Sequence, residues 1–262
     1  MSENREILRL ENLTIGYKNK NSVKEVAKGI NASLLKGELT CLIGPNGVGK
    51  STLMRTICGF QQRLGGNVFI EDKELDFYPD SELAKKIGVV LTQRPQIQNM
   101  SVQELTALGR SPYTGFWGTL TKSDKEIVDN SLSIIGIECL KERMIQTLSD
   151  GERQKVMIAK AIAQQTPIIC LDEPTAFLDF PTKIETMQML QRLCKEQSKT
   201  VFLSSHDLEL ALQLSDKIWL MQHSGLTIGT PQEVAASGAL SSFIEREGIS
   251  FDKELLRVKI CK

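Results

Sequence analysis

The chain has 262 residues, 32 of them basic and 32 acidic, with a hydrophobic share of 41%. Zero formal net charge argues against a general nucleic-acid binder, which shows a basic excess. No apolar run approaches the roughly 20 residues that a membrane-spanning helix needs, and Met1 to Glu6 lack the charged-then-apolar order of a signal peptide, so the expectation is a protein on the cytoplasmic side.

The length suits one large domain or two modest ones. Leu8, Leu10, Leu13, Ile15 and Tyr17 alternate as strands do, and predict edge strands at the start. A short buried strand is expected at 39–43, then a glycine-rich loop, then a helix from about Lys50 to Cys58 that stops at Gly59. Further strands are expected at 67–70 and 87–92. Residues 94–120 carry Pro95, Pro112, Gly115 and Gly118 around one short helix near 102–108. Ser123 to Glu126 reads as a capping box that opens another helix, and Ser149 to Glu152 reads as a second box. The helix after it puts Val156, Ala159, Ile162 and Ala163 on one face, so 94–160 forms a helical insertion. Ile168 to Leu171 is apolar on both faces, as a central parallel strand is. A helix carrying Ile184, Met187, Leu190 and Cys194, a strand at 200–204, a helix at 207–214 and strands near 217–222 and 226–229 follow. This alternation predicts an α/β fold on an open, largely parallel sheet, with 231–262 as short surface helices. The six cysteines, at 41, 58, 139, 170, 194 and 261, form no C-x-x-C pair and read as reduced core residues.

Gly44-Pro45-Asn46-Gly47-Val48-Gly49-Lys50-Ser51-Thr52 has the spacing G-x-x-x-x-G-K-S and stands between a strand and a helix, the context a phosphate-cradling loop requires. Glycines let successive N–H groups turn inward on phosphate oxygens, and the following helix points its positive end at the same anion. Lys50 reaches the β- and γ-phosphates and Ser51 holds Mg²⁺. Asp172 and Glu173 end the apolar strand, where a parallel sheet faces its ligand crevice. Asp172 is placed for Mg²⁺, and Glu173, one residue on, for polarising an attacking water. His206 ends another strand and is a candidate for hydrogen bonding to the γ-phosphate. Gln93, a neutral amide at a strand end, can touch the metal or the water and still withdraw. Tyr17 is a candidate for stacking on adenine, against the simpler alternative of a strand aromatic covering the core edge. His223 has no assigned role.

In this order GPNGVGKST, Gln93, LSDGERQ at 148–154, IICLDEP at 168–174, Ala176 to Asp179 and His206 resemble an ATP-binding-cassette (ABC) ATPase over residues 7–235. The resemblance implies a P-loop NTPase core with an N-terminal antiparallel β subdomain, over 1–93 and 161–230 together, an inserted α-helical subdomain at 94–160, and C-terminal helices at 231–262. It implies a head-to-tail homodimer with two ATP molecules between the copies. Ser149 and Gly151 of one copy then contact the γ-phosphate held by the Gly44, Asn46, Gly47, Gly49, Lys50, Ser51 and Thr52 loop of the other. Asp179 reports across the same interface. Such proteins usually carry glycine where this chain has Asp150, and often glutamine where it has Glu152; two extra carboxylates near a phosphate are costly unless they point away or pair with Arg153 or Lys155, and Asp150 is expected to point outward.

Ser101 to Leu105, Leu108 to Tyr113 and Gly115 to Gly118 are similar to ATPases of iron-siderophore, haem and cobalamin importers. This finer resemblance implies that the segment, with Tyr113, Phe116 and Trp117, docks an integral-membrane permease, that an extracytoplasmic solute-binding protein acts upstream, and that the chain lies peripherally on the cytoplasmic face of the membrane. Which of those solutes is carried stays open, because the cargo never touches this chain. Two other readings stand beside it. One is a soluble cassette ATPase uncoupled from transport, for example in iron–sulfur assembly. The other is a subunit that senses ATP without splitting it, which the presence of Glu173 and His206 opposes. No N-K-x-D motif for reading guanine is present.

Overall fold

The computed structural model describes residues 5–19, 22–91, 97–115 and 118–260. In chain order the elements are β1 (Glu6–Asn19), β2 (Ser22–Leu35), β3 (Leu39–Ile43), α1 (Lys50–Ile57), β4 (Gly65–Ile70), β5 (Lys73–Glu74), α2 (Asp80–Leu83) and β6 (Ile87–Val90). The helices α3 (Val102–Ala107), α4 (Lys122–Ile135) and α5 (Asp150–Ala163) follow, then β7 (Ile168–Asp172), α6 (Phe180–Gln197), β8 (Thr200–Ser204) and α7 (Leu208–Leu214). The chain continues through β9 (Lys217–Gln222), β10 (Gly225–Gly229), α8 (Pro231–Ala236), α9 (Ala239–Ile244), β11 (Ile249–Asp252) and β12 (Arg257–Ile260).

Leu8, Leu10, Leu13 and Ile15 are all buried, although their spacing slips by one residue. The slip is a register shift between Leu10 and Leu13, where Asn12 turns to φ 48°. β1 pairs antiparallel with β2 and with β4, giving a sheet in the order β2-β1-β4-β5. The larger sheet has the order β10-β9-β3-β8-β7-β6, parallel except at the β9–β10 hairpin. β3, β7 and β8 are buried at every position, which is why they are largely apolar, with polar residues only at Thr40 and at the strand ends Asp172, Thr200 and Ser204.

Two apolar layers sandwich the parallel strands. On one side Leu42, Phe202 and Trp219 meet Leu53, Met54 and Ile57 of α1 and the inner face of the antiparallel sheet. Phe202 and Trp219 are both fully buried, with ring centroids 4.8 Å apart. On the other side Ile43, Leu171 and Leu203 pack with residues of α5, α6 and α7. A third cluster holds α3, α4 and α5 together through Val102, Leu105, Val128, Leu132 and Val156. Arg110 pins this helical layer: its Nε donates to Asp124 Oδ1 at 2.9 Å and its Nη1 to the Ala163 carbonyl at 2.8 Å. The Asp124 carboxyl is held down to about 2, first by the Thr121 hydroxyl, then by the Thr121 backbone N–H, then by Arg110.

Three expectations change. The first helix of the insertion after Gly118 is capped at Thr121, with Asp124 closing the box, and not at Ser123. The segment 22–35, unassigned in the sequence, is a full strand. The end of the chain is not all helical: α8 and α9 are followed by a β11–β12 hairpin, whose Phe251 packs into the main core. Cys41, Cys58, Cys170 and Cys194 are free and buried as expected, Cys139 is free and exposed, and Cys261 lies outside the described residues.

Phe202→Ala empties the layer under α1. Equilibrium urea unfolding is expected to show a loss of about 3–5 kcal/mol with an unchanged slope.

Candidate functional site

β3, β8 and β7 run side by side in parallel, so their C-terminal ends open on the same edge of the sheet. Leu42 is in register with Ser204, and Ser204 with Asp172. The three loops that leave these strands carry the phosphate-loop residues, Glu173 and His206. Together with Tyr17 from β1 they line a cavity of about 520 Å³, whose walls include Asn46, Gly47, Gly49, Lys50, Ser51, Thr52, Glu173 and His206.

The loop between β3 and α1 takes its path because of its glycines. Gly44 and Gly49 have φ of 150° and 117°, a region that side chains avoid. A Cβ on Gly44 would overlap the Met221 carbonyl oxygen, and one on Gly49 would overlap the Val26 side chain. Gly49 caps α1 without a side-chain hydrogen bond, and the first residues of the helix, Lys50, Ser51 and Thr52, line the cavity, so its N-terminal positive end lies at the cavity wall. Lys50 Nζ donates to the Gly44 and Pro45 carbonyls at 2.8 and 3.0 Å. Burial pushes its ammonium below the usual lysine range, while Glu173 and then Asp172 pull it back. Thr52 accepts or donates a 2.8 Å bond with the Tyr17 hydroxyl, which draws that half-exposed ring to the cavity rather than over the core.

At the end of β7 the Asp172 carboxylate is buried and accepts from Ser204 Oγ at 2.6 Å and from Ser51 Oγ at 3.4 Å. Glu173 follows with φ 54°, an unusual backbone for a side-chain residue, worth about 1–3 kcal/mol of strain. Its N–H donates to the same Ser204 Oγ at 2.9 Å. The turn swings the Glu173 carboxylate onto His206, with Oε1 2.6 Å from Nε2; the donor depends on the ring tautomer. A hydroxyl beside a buried carboxylate is a pair of hard oxygen donors, which fits a magnesium ion that also takes phosphate oxygens.

Two supporting residues were not legible in the sequence. Ser204 ties Asp172 to Glu173, as above. Asp207 accepts from Lys183 Nζ at 3.0 Å and from Thr175 Oγ1 at 3.3 Å, anchoring the loop of His206 to the elements after β7. The only hint in the sequence was polar residues bunched at a strand end, Ser204-Ser205-His206-Asp207.

Ser149, Gly151 and Asp179 are not among the described walls of this cavity. Ser149 caps α5 and Asp179 caps α6, the latter by accepting from Thr182 N at 3.1 Å. The two starts are neighbours: a Cβ on Gly151 would stand 3.3 Å from Leu178 Cδ2. Asp150 is 60% exposed with Arg153 Nη1 4.0 Å away, as expected from its sequence position. Gln93, Phe116 and Trp117 lie outside the described residues.

The family model described as ABC transporter matches residues 27–176. An uncharacterized ABC transporter ATP-binding protein of Methanocaldococcus jannaschii is 42% identical over 229 residues, covering 87% of this chain and 78% of its own. The iron(3+)-hydroxamate import ATP-binding protein of Bacillus subtilis is 36% identical, with 91% and 87% covered. Among solved structures, a dimeric ATP-binding cassette in a post-hydrolysis state bound to ADP and Pi is 28% identical and superposes with a TM-score of 0.76, covering 86% of this chain and 98% of that one.

Ser204→Ala removes one hydroxyl from two bonds and leaves the Glu173 N–H without its acceptor. Stability is expected to fall by about 1–3 kcal/mol. Turnover of nucleotide is expected to fall by about 10- to 100-fold, as misplaced reacting groups cause, while equilibrium nucleotide binding stays within about threefold. Unchanged turnover would show that Ser204 does not position the two carboxylates.

Proposed function

The chain belongs to the ABC transporter family of ATPases, and on that premise we propose that it powers import of an iron chelate of the siderophore class through a separate permease. The observation that carries the catalytic part is the contact between Glu173 and His206 in one cavity with Lys50 and Ser51, the latter within 3.4 Å of the buried Asp172 carboxylate. The cargo class rests on the similarity to the iron(3+)-hydroxamate import protein.

In this reading the phosphate loop, from Gly44 to Thr52, wraps the triphosphate with its N–H groups, and Lys50 exchanges its carbonyl partners for phosphate oxygens. Tyr17 stacks on the base. Ser51 and Asp172 would hold Mg²⁺, with Gln93 as a further contact to metal or water; when bound, the ion would supply positive charge against the charge that develops on the transferring phosphoryl group. Glu173 accepts hydrogen bonding from the attacking water and takes its proton. His206 keeps that carboxylate oriented and donates toward the γ-phosphate. Ser149, Gly151 and Asp179 serve the cavity of a second copy: their helix starts are exposed and turned toward no phosphate site of their own chain. Phe177 and Phe180 flank Asp179 and are 63% and 66% exposed, so a second copy has an apolar surface to cover beside that residue.

The division of labour along the chain follows the resemblance. Residues 1–93 and 161–230 form the β subdomain and nucleotide core, 94–160 the helical subdomain, and 231–262 a C-terminal segment that packs on the main core through Leu240, Ile244 and Phe251. The permease contact is proposed on the 94–120 segment, where Leu108 and Tyr113 are exposed and Lys85 lies over the Tyr113 ring at 5.6 Å. No helix among the described residues is long and apolar enough to cross a membrane, so the membrane-spanning path is assigned to the partner. A solute-binding protein outside the membrane is the further, indirect partner.

Glu173→Gln keeps the shape of the side chain and removes the base. It is expected to bind ATP, to lose steady-state hydrolysis by at least about a hundredfold, and to accumulate as an ATP-bound dimer in analytical ultracentrifugation; hydrolysis at the wild-type rate would refute the role given to this carboxylate. Asp150→Gly removes an exposed ion pair worth about 0–1 kcal/mol. Turnover is expected to change by less than about fivefold, and a rise of a hundredfold or more would show a self-inhibited turn.

A further inference from the structure

The start of α5 already holds an anion of its own. Ser149 N donates to Glu152 Oε2 at 2.8 Å, Ser149 Oγ donates to the same oxygen at 2.9 Å, and Glu152 N returns a bond to Ser149 Oγ at 3.2 Å. These bonds hold the Glu152 carboxyl below its ordinary range, the backbone N–H first and the hydroxyl second. Other charges face it weakly: Arg143 Nη1 is 3.6 Å from Glu152 Oε1, Lys155 is the next cation on the helix, and Arg153 turns instead to Asp150 and the Leu148 carbonyl.

A serine hydroxyl has one proton. Here that proton points at a carboxylate, so Ser149 meets an arriving phosphate with its oxygen lone pairs and with a negative charge directly behind them. A glutamine at the same place would cap the helix equally well, because the amide oxygen accepts from Ser149 N, but it would carry no charge and would hold the hydroxyl proton less tightly.

We propose that Glu152 is a built-in competitor for the Ser149 hydroxyl: its carboxylate holds the O–H proton that the triphosphate of a second copy would take, and so raises the ATP concentration at which two copies close. The inference rests on the composite-site reading above. Glu152 is a positioning residue, acting on phosphate through Ser149. The effect is a threshold, so that the pair closes only when ATP is plentiful or when a partner holds the two copies together.

The test uses the full chain carrying Glu173→Gln, with and without Glu152→Gln. ATP is titrated while the dimer fraction is read by analytical ultracentrifugation. The second substitution is expected to lower the half-saturating ATP about fivefold, the weight of one unit charge a few ångströms from another in water. Thermal midpoints of the two proteins should agree within about 2 °C, because the cap is retained. In the chain with Glu173 intact, Glu152→Gln should lower KM for ATP by a similar factor and leave kcat within about twofold. An equal or higher ATP requirement after Glu152→Gln, with dimers forming normally, would overturn the inference alone and leave Glu152 as a helix cap. Failure of the Glu173→Gln chain to dimerise with ATP at all would remove the composite-site reading and this inference with it.

Discussion

The hydroxyl of Ser204 stands where three strand ends meet, and the site depends on that meeting. It lies in register with Leu42 on one side and Asp172 on the other, donates to the Asp172 carboxylate, and accepts from the Glu173 N–H. A parallel sheet makes this possible because neighbouring strands finish at one edge, so loops distant in the chain deliver their groups to the same space. The apolar runs of β3, β7 and β8 are buried throughout, so their register cannot slip without exposing a core. Packing energy in the core thus fixes distances between polar groups at its rim.

What the rim gathers is a set of groups that are uncomfortable without a ligand of the right charge. Lys50 is desolvated and held by two carbonyls, Asp172 is buried against two hydroxyls, and Glu173 sits on a left-handed backbone. A cation–triphosphate complex answers each of these at once, with negative oxygens for the lysine and helix start and a cation for the carboxylate. The same logic supports the proposal that one copy is only half a site. The helix starts at Ser149 and Asp179 carry donors and charge but are not among the described walls of their own chain's cavity, and the exposed Phe177 and Phe180 lie next to Asp179 in the chain.

The parts legible in the sequence were those whose signal is local. The phosphate loop, the apolar strands at 39–43 and 200–204, and the capping box at Ser149 are written in consecutive residues, and the structure has them where they were expected. β2 was invisible because only two of its 14 residues are buried and its pairing with β1 is irregular, so no clean alternation survives. The helix start at Thr121 was misplaced because Ser123-x-x-Glu126 matches the same box pattern, while the fold chooses the earlier box, whose Asp124 also reaches Arg110. The C-terminal hairpin offered one buried aromatic, Phe251, too little for a period. Ser204 and Asp207 were unreadable for a different reason: their partners come from other strands and helices, and only register brings them together.

The most direct measurement is the rate of ATP hydrolysis per chain as the isolated protein is diluted. If each pocket is completed by a second copy, the rate per chain rises with concentration and falls toward zero when the chains are too dilute to meet. A rate per chain that stays at its full value at any dilution, with the protein monomeric by ultracentrifugation, would contradict the account.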